Sequence, residues 1–209
     1  MMKRLLMCLL AMMLCLPCAL AEDNSGFEEL GYGDNTGLLP VKRNGLWGVI
    51  ALDGTMVIPC EWEEIGYLFG GDRIPVMRGG LWGCLDERGN VVVEPAWDFL
   101  DVWSDGTLAV FRDGSVGLLS TDGEILVLSD AYDYVGGNID GFYYIHDKKG
   151  NSGKLNLDGT VAIPLEWREI GYFCEGLAYA SDFGGTYCYI NTLGQTVIPG
   201  PFSYVGDFK

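Results

Sequence analysis

Histidine occurs once in this chain, as His146, and basic residues are scarce, with 13 lysines and arginines against 29 aspartates and glutamates. A single histidine cannot build a histidine-rich metal site. The deficit of positive charge, a net −16 over 209 residues, argues against nucleic acid as a partner and against adsorption to anionic lipid. No Gly-x-Ser-x-Gly elbow, phosphate-cradling glycine loop or Asp-x-Asp-x-Asp-Gly calcium loop is present, so the sequence carries no motif for serine hydrolysis, nucleotide binding or EF-hand calcium. A sustained helical period is missing beyond the first twenty residues, and no second apolar run approaches a membrane span. The expectations are therefore no catalytic residues, no cofactor and no metal.

The amino terminus has its own logic. Lys3 and Arg4 precede an apolar run from Leu5 to Leu16, Pro17 breaks it, and Ala19-Leu20-Ala21 supplies small residues at the positions a signal peptidase reads. This is the pattern of a secretory signal peptide, residues 1–21, with cleavage expected after Ala21. The processed chain would hold 188 residues (209 minus 21) and carry 11 basic against 29 acidic residues, a net −18. That length suffices for a domain with a real core. Localisation is then secreted or at the cell envelope. Cys60, Cys84, Cys174 and Cys188 remain after processing. An exported chain could join them in two disulfides, or they could serve as small apolar residues in strands.

What the chain has in abundance is self-similarity. Leu46-Trp47-Gly48-Val49-Ile50 matches Leu81-Trp82-Gly83-Cys84-Leu85. Each Trp is preceded at eight residues by an aliphatic residue and Pro-Val, and followed at seven by a glycine, Gly54 or Gly89. A Val/Ile-rich run, a proline and an aromatic-acidic pair come next. The frame continues through Gly117 to Gly123, Gly153 to Gly159, and Tyr187 to Gly194. The Trp-equivalent positions are 47, 82, 116, 152 and 187, separated by 35, 34, 36 and 35 residues. A fixed period of this size is the signature of a repeat architecture. Five windows follow, 38–72, 73–106, 107–141, 142–176 and 177–209, preceded by a partial unit or cap at 22–37, whose Phe27-Glu28-Glu29-Leu30-Gly31-Tyr32 resembles Trp62-Glu63-Glu64-Ile65-Gly66-Tyr67.

On these residues the chain resembles the bacterial WG-repeat family, named for the pair intact at Trp47-Gly48 and Trp82-Gly83. The resemblance implies a repetitive β scaffold without enzymatic activity.

Within a window, Asn44-Gly45 and Asp53-Gly54 mark tight turns of the same chemistry. Leu38–Lys42, Leu46–Ala51 and Thr55–Ile58 are expected strands, with Pro59 ending the ladder. Glu61–Ile65 is a further short strand. Such runs form meanders, so the expected class is all-β: tandem meanders of ~35 residues stacked as an open curved array. The alternative is a five-bladed propeller-like closure. One meander cannot bury both faces, so stacking must supply the core. The repeat-defining tryptophans, Trp47 and Trp82, are expected to pack between units. Gly48, Gly83, Gly117 and Gly153 would allow close backbone approach, and Gly54, Gly89, Gly123, Gly159 and Gly194 would shape turns.

Trp103 lies outside the repeat pattern and is expected to be an exposed contact. Lys42, Arg43, Arg78, Arg112, Lys148 and Lys149 crowd the first turn, while Glu61, Glu63, Glu64, Asp98 and Asp101 crowd the exit of the third strand. Stacking would sort them into separate basic and acidic stripes, with Arg78 and Arg112 as partner contacts. The functional expectation is an exported, non-catalytic scaffold binding protein or glycan. A structural spacer is the second reading, and a carboxylate-dependent glycan hydrolase the third.

Overall fold

The structure, a computed structural model, describes residues 26–31, 37–66, 73–203 and 205. The signal segment 1–21 lies outside them, as does part of the 22–37 segment. The chain divides into two compact units, Met1–Trp62 and Glu63–Lys209.

In the first unit a four-stranded antiparallel meander runs β1 (Glu29–Leu30), β2 (Leu38–Arg43), β3 (Leu46–Ala51), β4 (Met56–Trp62). The second unit holds four more of the same design. The second sheet is β5 (Glu64–Ile65), β6 (Arg73–Arg78), β7 (Leu81–Asp86) and β8 (Val91–Trp97). The third is β9 (Phe99–Val102), β10 (Leu108–Arg112), β11 (Ser115–Leu119) and β12 (Ile125–Ser129). The fourth is β13 (Tyr132–Gly136), β14 (Tyr143–Asp147), β15 (Ser152–Leu155) and β16 (Val161–Trp167). The fifth is β17 (Glu169–Ile170), β18 (Leu177–Ser181), β19 (Tyr187–Asn191) and β20 (Thr196–Phe202). The all-β class and the tandem meanders hold.

The sheets are offset by one strand from the sequence windows. The short run after each aromatic residue does not complete its own meander. It opens the next sheet, as Glu64–Ile65 does by pairing with Met77 and Val76. Likewise Glu29–Leu30 pairs with Lys42 and Val41, making it the first strand of the first sheet.

Two turn types, not one, join the strands. At Asn44-Gly45 both φ angles are positive, 54° and 76°, the primed hairpin turn whose twist matches its strands. After β3 only the glycine is left-handed, Gly54 at 86°. Its amide donates to the Ala51 carbonyl at 2.9 Å, and the Ala51 amide donates to the Thr55 carbonyl at 2.8 Å. This five-residue turn recurs at 86–90, 120–124, 156–160 and 191–195.

Pro59 does not end the ladder either. β4 runs on to Trp62, but its register shifts, with Val49 opposite Ile58 and Trp47 opposite Trp62. The extra residues bulge across Gly48, where an added Cβ would lie 2.5 Å from the Ile58 carbonyl oxygen. A proline is tolerated in such a bulge on an outer strand. The arrangement repeats where β8 crosses Gly83 and β16 crosses Gly153.

In the second unit, each core is shared by consecutive sheets. Cys84, Val93 and Trp97 of the second sheet pack with Leu100, Leu108, Val110 and Leu119 of the third. Leu118, the residue before Leu119, points the other way and joins Tyr132, Tyr143, Ile145 and Leu155 of the fourth. Ile163 of the fourth then packs with Ile170, Ala178, Ala180 and Ile190 of the fifth. Strand alternation sends successive side chains to opposite faces, so the third and fourth sheets each supply half of two cores. The turns lock the stack: an added Cβ on Gly123 would meet the Val92 carbonyl, one on Gly159 the Leu126 carbonyl, and one on Gly194 the Ile163 side chain. Arg73 adds a link, donating through Nε and Nη2 to the Thr121 carbonyl at 2.9 and 2.7 Å.

Candidate functional site

Antiparallel register carries a row of residues across one end of every sheet. In the second sheet the row is Glu64, Met77, Trp82, Trp97. In the third it is Phe99, Phe111, Val116, Ser129. In the fourth it is Tyr134, His146, Ser152, Trp167, and in the fifth Glu169, Ser181, Tyr187, Phe202. The first two places change character along the stack. They hold Glu64 and Met77, then a pair of phenylalanines, then a tyrosine and a histidine, then Glu169 and Ser181. Phe99 is 54% exposed, Phe111 38% and Tyr134 54%, while the Tyr134 and His146 rings stand 5.8 Å apart. Two neighbouring sheets thus carry exposed aromatic residues in these two places, with Glu64 and Glu169 in the sheets on either side.

His146 is held in place from behind. Its Nδ1 lies 3.0 Å from Ser152 Oγ, and Ser152 Oγ lies 2.9 Å from the Arg168 carbonyl. A carbonyl only accepts, so the single hydroxyl proton goes to Arg168 and the histidine donates from Nδ1 to Oγ. Catalysis by a serine needs the opposite polarity, with histidine accepting. The contact orients a ring rather than activating a nucleophile.

A second polar group lies inside the fourth sheet. Lys154 is wholly buried, its Nζ 2.5 Å from Asp140 Oδ2 and 2.7 Å from the Tyr144 hydroxyl. Asp140 Oδ2 also accepts from the Phe173 amide at 2.7 Å and from Tyr144 at 2.8 Å. The ammonium lies 4.1 Å from the Tyr144 ring centroid and 4.5 Å from that of Phe173. Burial pulls the Lys154 ammonium below its ordinary range, and Asp140 opposes that pull. Burial, and then the hydrogen bond to Asp140, holds the Tyr144 phenol above its usual value. A buried ion pair contributes little net stability, and Lys154, with no exposed surface, offers no substrate a nucleophile.

The residues singled out in the sequence fall as follows. Trp47 and Trp82 are half-buried, opposite the buried Trp62 and Trp97. The Lys42 ammonium stands 5.2 Å from the Trp47 ring centroid. Gly117, like Gly48, Gly83 and Gly153, lies against a crossing backbone carbonyl, and Gly89 adopts positive φ in its turn. Trp103 is not an exposed contact. It is half-buried against the core shared by the third and fourth sheets, its ring 6.2 Å from that of Tyr143.

Nor do the charges sort into separate stripes, because the entry strand pairs with the first hairpin. Lys42 Nζ and Glu29 Oε1 are 2.9 Å apart. The Glu63 carboxylate accepts the amides of Gly79 and Gly80 at 3.0 and 2.9 Å, and Glu28 does the same for Asn44 and Gly45. Asp98 accepts the amide of Asp113 at 3.0 Å. Arg112 lies over Trp97, 4.6 Å from its centroid, and Arg78 is exposed beside the Gly79-Gly80 turn. In the first three sheets the acid of the aromatic-acidic pair, Glu28, Glu63 or Asp98, is therefore a clamp on the next hairpin. Where the turn grows to 182–186 and Asp182 accepts its amides, the clamp position holds Arg168 instead. Cys84, Cys174 and Cys188 are free thiols; Cys60 lies in the first sheet, its Sγ 3.9 Å from the Val41 carbonyl oxygen.

Reading by motif missed Phe99, Phe111, Tyr134, Asp140 and Lys154. Aligning the repeats column by column finds Lys154, since its column otherwise reads Val49, Cys84, Leu118 and Tyr189. Phe99 and Tyr134 interrupt a column of Glu29, Glu64 and Glu169 in the same way.

The sheet design, the crossing glycines and the shared cores define a tandem β-meander repeat protein. The family model of the WG containing repeat matches this chain at residues 47–82, 82–115 and 187–209. No curated protein matches the sequence. Among solved structures, the chain is similar to the computationally designed Ika8 protein, at 14% identity over 82% of this chain and 60% of that one, with a TM-score of 0.40. It is similar to BamB from Moraxella catarrhalis, at 15% identity over 80% of this chain and 58% of that one, with a TM-score of 0.40. The WD40 β-propeller domain of Doa1 is 8% identical over 82% of this chain and 71% of that one, with a TM-score of 0.35. The chain spans about 60% of the length of the first two.

Proposed function

We propose that this chain is an exported, non-catalytic scaffold that binds a glycan through Phe99, Phe111, Tyr134 and His146. The observation that carries the reading is the exposure of Phe99 and Tyr134 in a column that elsewhere holds carboxylates, with Phe111 exposed opposite Phe99. Flat rings stack on the apolar faces of sugars, and flanking carboxylates such as Glu64 and Glu169 accept sugar hydroxyls. The non-catalytic part is supported by the polarity of the His146–Ser152 contact and by the use of Glu63 and Asp98 as turn clamps. The signal-peptide pattern supports export.

The test is a glycan array and a peptide array, each probed with the processed protein and with the Phe99→Ala/Tyr134→Ala double variant. Glycan capture that falls at least tenfold in the variant supports the proposal. Capture of peptides alone moves the partner to protein. Capture of neither class leaves the spacer reading in its place.

A further inference from the structure

Asp105 and Asp140 occupy the same place in successive repeats, each followed by a glycine and then, one residue further on, by the start of β10 or β14. Asp105 is exposed and accepts the Thr107 amide within its own turn at 3.0 Å. Asp140 turns inward instead, its side chain 4% exposed, and places Oδ2 2.5 Å from the wholly buried Lys154 Nζ. Its two oxygens are treated unequally. Oδ2 also accepts from the Tyr144 hydroxyl at 2.8 Å and from the Phe173 amide at 2.7 Å. Oδ1 is buried and has no hydrogen-bond partner among the described residues, which is costly for a carboxylate oxygen.

An amide between Nζ and Cγ needs only one of these oxygens. It keeps Oδ2 with its donors from Tyr144 and Phe173 and discards the unpartnered Oδ1. Its N–H donates to the Tyr144 hydroxyl oxygen, which already lies 2.7 Å from Nζ. Two buried charges, each expensive to desolvate, give way to one neutral group. We infer that Lys154 and Asp140 become joined by an isopeptide bond between Nζ and Cγ, pinning the β13–β14 connection to β15.

The pair meets as ions when the sheet folds, and the bond forms afterwards. A proton passes from the ammonium to the carboxylate, and burial, which pulls the Lys154 ammonium below its ordinary range, favours that transfer. The Tyr144 hydroxyl touches both Nζ and Oδ2 and can relay it. The free amine then attacks Cγ, with negative charge gathering on Oδ2, where Tyr144 and the Phe173 amide donate. The Cγ–Oδ1 bond breaks. Oδ1 leaves as water with two of the ammonium's three protons, and the third remains as the amide N–H. No oxidant or activating group is consumed, and the fixed contact replaces a bimolecular encounter.

Mass spectrometry of the wild-type protein, denatured and reduced, tests it. The intact chain should be lighter by one water than its determined amino terminus and sequence require. Trypsin should fail to cut after Lys154, and fragmentation should show one branched peptide carrying both Asp140 and Lys154. A succinimide at an Asp-Gly step loses the same water, but hydroxylamine cleaves a succinimide and leaves the amide intact. Lys154→Arg, which keeps the charge, should have its full mass. Tyr144→Phe should slow the appearance of the lighter species at least tenfold in freshly synthesised protein. A wild-type chain at its full mass overturns the inference, as does a deficit that hydroxylamine removes or that persists in Lys154→Arg.

Discussion

Lys154 and Cys84 occupy the same place in their sheets: Lys154 stands opposite Ile163 in β16 as Cys84 stands opposite Val93 in β8. One design thus accepts a thiol or an ammonium at a fully buried position. The difference lies in what surrounds each group. Cys84 packs in an apolar cluster, whereas Lys154 is met by Asp140, Tyr144 and the Phe173 ring.

Lys154→Ala should cost about 3–5 kcal/mol, because it strands a buried carboxylate. Lys154→Leu combined with Asp140→Asn restores the apolar column and leaves a neutral acceptor for the Phe173 amide. The double variant should recover most of the loss, so the two changes will be far from additive in urea denaturation. Additive losses would show that the pair acts as two separate groups.

Cys84 should resist alkylation. Burial pushes its thiol up to about 12, so little thiolate forms near neutral pH. Iodoacetamide at about pH 8 should label the half-buried Cys174 and Cys188 well before Cys84, as read by peptide mass spectrometry. Equal rates would mean that the second sheet opens readily.

The turn clamps carry a graded prediction. Glu63→Ala removes a carboxylate that accepts two amides and should cost about 1 kcal/mol, since the site is exposed. Asp133→Ala, at the equivalent place in the fourth sheet, should change stability by less than about 0.5 kcal/mol. Thermal melts of the two variants make the comparison.

The crossing glycines set a steric limit. An added Cβ at Gly83 would sit 2.5 Å from the Val93 carbonyl oxygen and 2.7 Å from the Pro95 nitrogen. Gly83→Ala should therefore lose about 1–3 kcal/mol or more through displaced backbone. Gly26→Ala, with nothing within 4 Å, is the neutral control.

Acid should destabilise the fold through its turns. A side-chain hydrogen bond from Asn90 holds Asp86 below the ordinary carboxylate range, and Asn151 does the same for Asp147. A backbone hydrogen bond from Thr55 lowers Asp53. A group depressed on folding contributes stability above its unfolded value, about 3.9 for aspartate, and loses it as pH falls through the folded value. The melting temperature should hold between about pH 7 and pH 5 and drop below about pH 4. Asp86→Asn should flatten part of that drop in a pH series of melts.

By itself the sequence determined the period, the β class and the sites of reversal. These follow from local chemistry: glycines at 45 and 54 permit left-handed backbone, and short β-branched runs between turns leave no length for helices. It also showed that no unit could stand alone, since each carries more apolar surface than one meander can cover. Only the tertiary structure decided which sheet each short strand joins, because two residues such as Glu64-Ile65 carry no local preference between the strand before and the strand after. It alone revealed that Glu63 clamps a turn 16 residues away and that Lys154 meets Asp140 inside the fourth sheet. Those contacts depend on register and packing between distant segments, which no residue type specifies alone.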